Sequence, residues 1–158
     1  MSGHSTGRHE LQEGFCRKRR QALREDLHAT GCAALLVRDR GQLTRLFNFR
    51  AREIFPAAGL ILADGGSVLC RMAGDEGTVF AEEVRDYEAA FLSSLRPQLE
   101  DLALEPLLNL IPTGCRLGLD GDMPLALLGR AKPVDMRARI DLRRRAKDPD
   151  EIALIEAG

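Results

Sequence analysis

Residues 17–37 read RKRRQALREDLHATGCAALLV, and they decide the fold class. Leu11, Phe15, Ala22, Leu23 and Leu27 recur at helical spacing with Arg and Lys between them, so a helix begins near Leu11. Gly31 ends that helix, because glycine takes the left-handed conformation of a helix C-terminus without steric cost. Residues 33–37 (AALLV) then form a short apolar run bounded by Gly31 and by the charged Arg38-Asp39-Arg40. Such a run reads as a strand buried on both faces, hence parallel to a neighbour. A helix, a glycine and a buried strand in that order announce an α/β domain.

Downstream, residues 58–63 (AGLILA) and 67–71 (SVLCR) flank Asp64-Gly65-Gly66. Two apolar runs around such a tripeptide predict an antiparallel hairpin. Residues 42–49 (QLTRLFNF) suggest a short helical turn, and residues 78–80 and 84–87 suggest two further strands. Leucines at 92, 95, 99, 102, 107, 108 and 110 give residues 89–110 a helical pattern, divided in two by Pro97 and Pro106. Residues 115–120 (CRLGLD) read as a strand that meets a loop at Asp120-Gly121-Asp122. A short helix over 124–130, a short strand over 133–135 and a helix over 136–145 follow, the last with Met136, Ile140 and Leu142 facing inward.

The final element begins with a complete start signal, Asp148-Pro149-Asp150-Glu151. Asp148 suits the N-cap, Pro149 the first helical position, and Glu151 can reach back to the cap. Asp150 and Glu151 also favour the positive end of the helix dipole. Ile152, Ala153, Leu154, Ile155 and Ala157 follow as a broad apolar face that little of this sequence can cover. The expected organisation is therefore a flexible lead (1–10), one domain (11–147) and the start of a helix (148–158) that leads into a further domain.

Length and composition narrow the function. A chain of 158 residues holds one domain, and near that size about 70% of the unfolded surface can be buried. A net charge of −1 excludes a globally basic nucleic-acid binder. Aromatic residues make up 4% of the chain and Trp is absent, which argues against a base-stacking platform. No run of about 20 apolar residues predicts a membrane span, and residues 1–10 lack the apolar core of a secretory signal. Cys16, Cys32, Cys70 and Cys115 are widely spaced without a Cys-x-x-Cys. They read as buried free thiols of a cytoplasmic protein.

Catalytic chemistry is hard to assemble from these residues. The histidines are His4, His9 and His28; the first two lie in the lead and the third near a helix end. Asp120 and Asp122 could bring two carboxylates together, but the glycine between them makes a turn the simpler reading. No phosphate loop or nucleophile elbow is present. The basic runs 17–20 and 143–145 are interleaved with acids and suggest a solvated face, or ion pairs to a following domain, ahead of phosphate contacts.

Three segments resemble the N-terminal domain of the creatinase/prolidase family, the pita-bread hydrolases that include Xaa-Pro aminopeptidases. They are residues 17–37, residues 42–49, and above all residues 140–157 (IDLRRRAKDPDEIALIEA). In the last, Leu142-Arg143, Lys147, Pro149, Glu151 and Ile152 match the family's Leu-Arg-x-x-Lys-(Ser/Asp)-Pro-x-Glu-Ile passage. Residues 116–120 (RLGLD) resemble the family's Arg-Ile-Gly-Val-Glu strand. Residues 42–49 depart from the family's Asn-x-x-Tyr-Leu-Thr-Gly-Phe, since Gln42, Arg45, Phe47 and Asn48 stand at four of its fixed positions. Only Leu46 and Phe49 match.

The resemblance implies an α/β fold with a mixed sheet, helices on both faces and a ribonuclease-H-like motif. It implies no catalytic residue and no metal ligand in this chain. Two divalent metal ions would belong to a following catalytic domain, although creatinase-type members may use none. It also implies an accessory role at the active-site entrance and in a homodimer, with no nucleic-acid or membrane partner. Phe49, Arg50 and Arg52 are the candidates for a substrate entrance or interface, and Asp148, Pro149 and Glu151 cap the linking helix. Three of the six Phe lie within residues 47–56 beside Arg50 and Arg52, and they could equally fill core beneath a loop. A freestanding interaction module and a small magnesium-dependent nuclease remain as alternatives.

Overall fold

The computed structural model describes residues 11–52, 55–88 and 99–158. The expectations for the lead and for residues 89–98 lie outside them. A six-stranded mixed sheet runs in the order β4-β3-β2-β1-β5-β6. Its strands are β1 (Ala34–Val37), β2 (Ala58–Leu62), β3 (Ser67–Met72), β4 (Glu83–Tyr87), β5 (Arg116–Leu119) and β6 (Lys132–Asp135). β2 and β3 pair antiparallel as the hairpin around residues 64–66. β1 is parallel to β5 but antiparallel to β2, so the parallel expectation holds on one of its two sides. β5–β6 and β3–β4 are parallel pairs.

All four residues of β1 are buried, and alternate side chains feed two cores. Leu35 and Val37 pack with Ile61 and Leu69 beneath α1 (Glu13–Thr30), α2 (Arg40–Phe47) and α4 (Arg137–Arg144). Ala34 and Leu36 pack with Leu60, Val68 and Leu117 beneath α3 (Leu99–Leu104) and the 3-10 turn Glu105–Leu110. The fold is thus α/β with helices on both faces. Gly31 caps α1 in the left-handed conformation, φ 68°. Asp39 caps α2 by accepting from the Gln42 amide at 3.0 Å.

Four details differ from the sequence expectation, each for a local reason. Residues 78–80 are not a strand. The Phe80 amide donates to the Phe47 carbonyl at 2.9 Å, and the Thr78 carbonyl accepts from Asn48 Nδ2 at 2.9 Å, so the segment binds the end of α2 rather than a neighbouring strand. Residues 124–130 hold only a 3-10 turn, Leu125–Leu127. Leu142 is 62% exposed, because two residues of helix carry it to the side opposite the buried Ile140. Finally, Arg19 and Arg20 are buried (4% and 1% exposed), not part of a solvated face.

The last four carbonyls of α2 show where those arginines go. A helix end leaves four carbonyls without intrahelical partners. Here the Thr44 carbonyl takes the Asn48 amide and the Phe47 carbonyl takes the Phe80 amide, both at 2.9 Å. The Arg45 carbonyl accepts from Arg19 at 3.0 Å and the Leu46 carbonyl from Arg20 at 2.7 Å. Burial lowers the Arg20 pKa, an effect opposed by the nearby Glu82 carboxylate. The guanidinium also lies 5.4 Å from the Phe47 ring centre. Arg24 reaches the hairpin instead, donating to the Leu62 and Gly66 carbonyls at 3.0 and 2.8 Å.

Gly59 marks the tightest contact of helix on sheet. A Cβ there would sit 2.5 Å from the Phe47 ring, which is fully buried. Gly59→Ala is expected to destabilise the chain by about 1–3 kcal/mol, the usual cost of overpacking a filled core. Equilibrium urea unfolding checks this, and a loss below about 0.5 kcal/mol would mean that α2 is free to shift.

Candidate functional site

Two neighbouring regions hold the sequence-predicted residues: the base of α5 (Pro149–Ala157) and the loop that leaves α2. The start signal of α5 folds as read. Pro149 occupies the first turn, and Glu151 Oε2 accepts from the Asp148 amide at 3.0 Å in a capping box. Its carboxylates serve more than the helix, however. Arg19 Nε donates to Asp148 at 3.0 Å, and another nitrogen of the same guanidinium contacts Asp150, whose side chain is fully buried. Asp150 also accepts from the Gln12 amide at 3.0 Å and the Glu151 amide at 2.8 Å. Arg45 Nε donates to Glu151 at 2.9 Å and its other arm to the Arg143 carbonyl at 3.2 Å. Arg143 in turn grips Asp26 with two bonds of 2.8 and 3.0 Å.

Asp148, Asp150 and Glu151 bring carboxylate oxygens within 4.8 Å of one another, a spacing that could suit a cation. The space around them is already shared by the guanidinium groups of Arg19 and Arg45, which supply the counter-charge. The arrangement is therefore a clamp. It fastens the first turn of α5 to α1 and α2 while leaving Ile152 and Ile155 44% and 65% exposed further along.

The loop after α2 starts at Asn48, whose φ of 56° turns the chain out of the helix. Phe47 and Phe49 are buried in the core shared with β2, which is the core-filling reading of the aromatic cluster. Glu53 and Ile54 lie outside the described residues. Arg52 is exposed and pairs with Asp75 at 3.2 Å. Arg50 is exposed and lines a cavity of about 160 Å³ with Asn48, Phe49, Glu76 and Thr78. The structure thus separates the two arginines: Arg52 has an acidic partner, whereas Arg50 borders an opening.

Elsewhere the residues behave as structure. Asp120 Oδ2 accepts from the Arg38 and Asp39 amides at 2.9 and 2.8 Å, so it ties two loops, while Asp122 is exposed. The four cysteines are free thiols. Burial pushes Cys16 up to about 11 and Cys70 to about 12, which keeps both unreactive near neutrality. Among the described residues no helix is long and apolar enough to cross a membrane. The buried roles of Arg19, Arg20 and Asp150 escaped the sequence reading. For Arg20 a signal was available, because residues 16, 20, 23, 24 and 27 share one helical face and two of them are arginine.

No family model matches the sequence, and no curated protein matches it. Solved structures do match. A proline dipeptidase from Streptococcus pneumoniae superposes with a TM-score of 0.62 at 17% identity, over 81% of this chain and 98% of that one. The creatinase/prolidase N-terminal domain of an X-Pro dipeptidase from Streptococcus pyogenes gives 0.54 at 15%, over 79% and 97%. The prolidase from Pyrococcus horikoshii gives 0.61 at 14%, over 89% of this chain but 38% of that one. The chain therefore spans nearly all of some of these structures and under two fifths of the prolidase. It has the fold of creatinase/prolidase N-terminal domains.

The clamp makes a stability prediction. Arg19→Met or Asp150→Leu alone strips a buried charge of its closest partner and is expected to cost about 3–5 kcal/mol. The double variant should lose less than the sum of the two, since the residues share one contact. Urea unfolding of the four proteins measures the coupling, and strict additivity would show that the pair does not hold α5.

Proposed function

We propose that this chain, with its creatinase/prolidase N-terminal fold, is the non-catalytic N-terminal domain of an Xaa-Pro peptidase-like or creatinase-like hydrolase. The observation that carries the reading is its match to nearly the full length of a creatinase/prolidase N-terminal domain and to a minor part of a prolidase. In this reading α5 continues into a catalytic domain that cleaves a C–N bond, and the two divalent metal ions belong to that domain. The exposed Ile152 and Ile155 would pack there, next to the base that Arg19 and Arg45 hold in place. The domain's own contribution is to shape the active-site entrance and to join a homodimer in the cytoplasm.

Arg50 is the residue best placed for the entrance role. A guanidinium beside an opening can meet a substrate carboxylate or an acidic partner side chain with two parallel hydrogen bonds. Arg52 would orient the loop through Asp75. In the longer protein that contains this domain, Arg50→Ala should lower kcat/KM for Ala-Pro, or weaken the dimer, by roughly tenfold or more. Arg52→Ala should have a smaller effect. Unchanged kinetics together with an unchanged sedimentation profile for Arg50→Ala would sink the entrance role. Hydrolysis of Ala-Pro by residues 1–158 alone with Mn²⁺ would sink the non-catalytic reading.

A further inference from the structure

A groove of about 490 Å³ lies between α1 and α4, beside the base of α5. Ala22, Leu142 and Ala146 form its apolar lining, and Lys18 and Arg139 are its exposed cations. Both cations are second partners to an acid that another residue already holds. Arg139 reaches Asp26 at 3.4 Å, whereas Arg143 grips the same carboxylate with two shorter bonds. Lys18 reaches Asp148 at 3.2 Å, and Asp148 also accepts from Arg19 at 3.0 Å. The groove thus offers apolar surface between two cations whose charge the clamp does not need. Its complement is a surface with an apolar residue among carboxylates.

Such a surface exists on this same chain, at β4. Successive side chains of a strand alternate between faces, so Glu82, Val84, Asp86 and Glu88 share one of them. All four residues are exposed. Val84 lies opposite Leu69 in the register of β3 and β4, and Leu69 belongs to the core beneath α1, α2 and α4. The stripe is therefore on the α4 side of the sheet. It sets three carboxylates around one valine, where the groove sets two cations around Leu142. Within one chain the two surfaces stand apart. β4 is one edge of the sheet and α4 follows β6, the other edge, with α1 and α2 packed on β2 between them.

We infer that the groove between α1 and α4 takes the β4 stripe of a second copy of this chain, with Val84 against Leu142 and the carboxylates against Lys18 and Arg139. Both surfaces are on one side of the sheet. A two-fold axis then lets each copy offer its stripe while it receives its partner's, and the contact closes at two chains. Opposite charges around an apolar centre fix the register and disfavour the pairing of like surfaces. The inference rests on the homodimer of the proposed function and gives it an interface; it does not depend on the catalytic reading.

Sedimentation velocity of the 158-residue chain over a range of concentrations, at low and at high salt, is the test. A monomer–dimer equilibrium is expected, weaker at high salt because exposed charges are screened. Lys18→Glu/Arg139→Glu and Asp86→Lys/Glu88→Lys should each weaken the dimer by roughly tenfold or more. Mixing these two charge-reversed proteins in equal amounts should restore it, since each then carries what the other lacks. Leu142→Gln and Val84→Gln alter only exposed side chains and should also weaken the dimer, which keeps the inference testable if a charge-reversed protein fails to fold. A monomer at every concentration, no rescue on mixing, growth beyond the dimer, or a dimer indifferent to all four variants would each overturn the inference. The indifferent dimer would remove this interface alone and leave the homodimer reading in place.

Discussion

The buried guanidinium of Arg19 is the interaction on which the arrangement of this chain depends. It leaves α1 and meets three partners at once: Asp148, Asp150 and the backbone carbonyl of Arg45. Taking a charge out of water costs several kcal/mol, and only a full set of close partners offsets that. The set here draws on the first helix, the end of the second and the start of the last. None of the three can shift without taking a partner from the buried charge, so the pair acts less as a source of stability than as a statement of geometry.

Arg20 and Arg24 extend the same device along α1. Where a purely apolar helix would bury hydrocarbon against the sheet, this one also carries donors to backbone carbonyls at the ends of other elements. Arg20 takes the Leu46 carbonyl, at a helix C-terminus, and Arg24 takes the Leu62 and Gly66 carbonyls, at a hairpin turn. Both sites are places where regular secondary structure stops and acceptors are left over. The sheet still supplies most of the burial, through β1 and its two cores. The arginines set how the second helix and the hairpin lie against it.

The elements written in local pattern were readable in advance. Gly31 marked the end of α1, Asp64-Gly65-Gly66 marked the hairpin, and Asp148-Pro149 marked the start of α5, because each depends on the chemistry of neighbouring residues. The errors arose where partners lie far apart in sequence. Residues 78–80 have strand composition but are held by Phe47, Asn48 and Arg20, some 30 to 60 residues earlier. Arg19 and Asp150 are separated by 131 positions, and charge runs with ordinary composition do not disclose which member will be buried. Within the candidate site, Glu151 was legible as a cap. That Arg45 would hold it was not, since this follows from how α2 packs, whereas the burial of Phe49 was one of the two readings of its cluster.

Arg45 also gives meaning to the place where this chain departs from the family pattern it resembles. It stands where that pattern has Tyr, and it bonds Glu151 of α5 and the Arg143 carbonyl of α4 while its own carbonyl receives Arg19. Two residues after Arg45 the helix ends, and Asn48 turns the chain into the loop of Phe49, Arg50 and Arg52. The loop and the base of α5 are therefore tied to one short stretch of α2. Under the proposed function, whatever domain continues from α5 is held in register with the loop that would border its entrance. A charged clamp suits that task better than an apolar contact, because hydrogen-bond geometry constrains orientation as well as distance. A position that looks like a loss of the family's motif is thus the joint between the two parts of the candidate site.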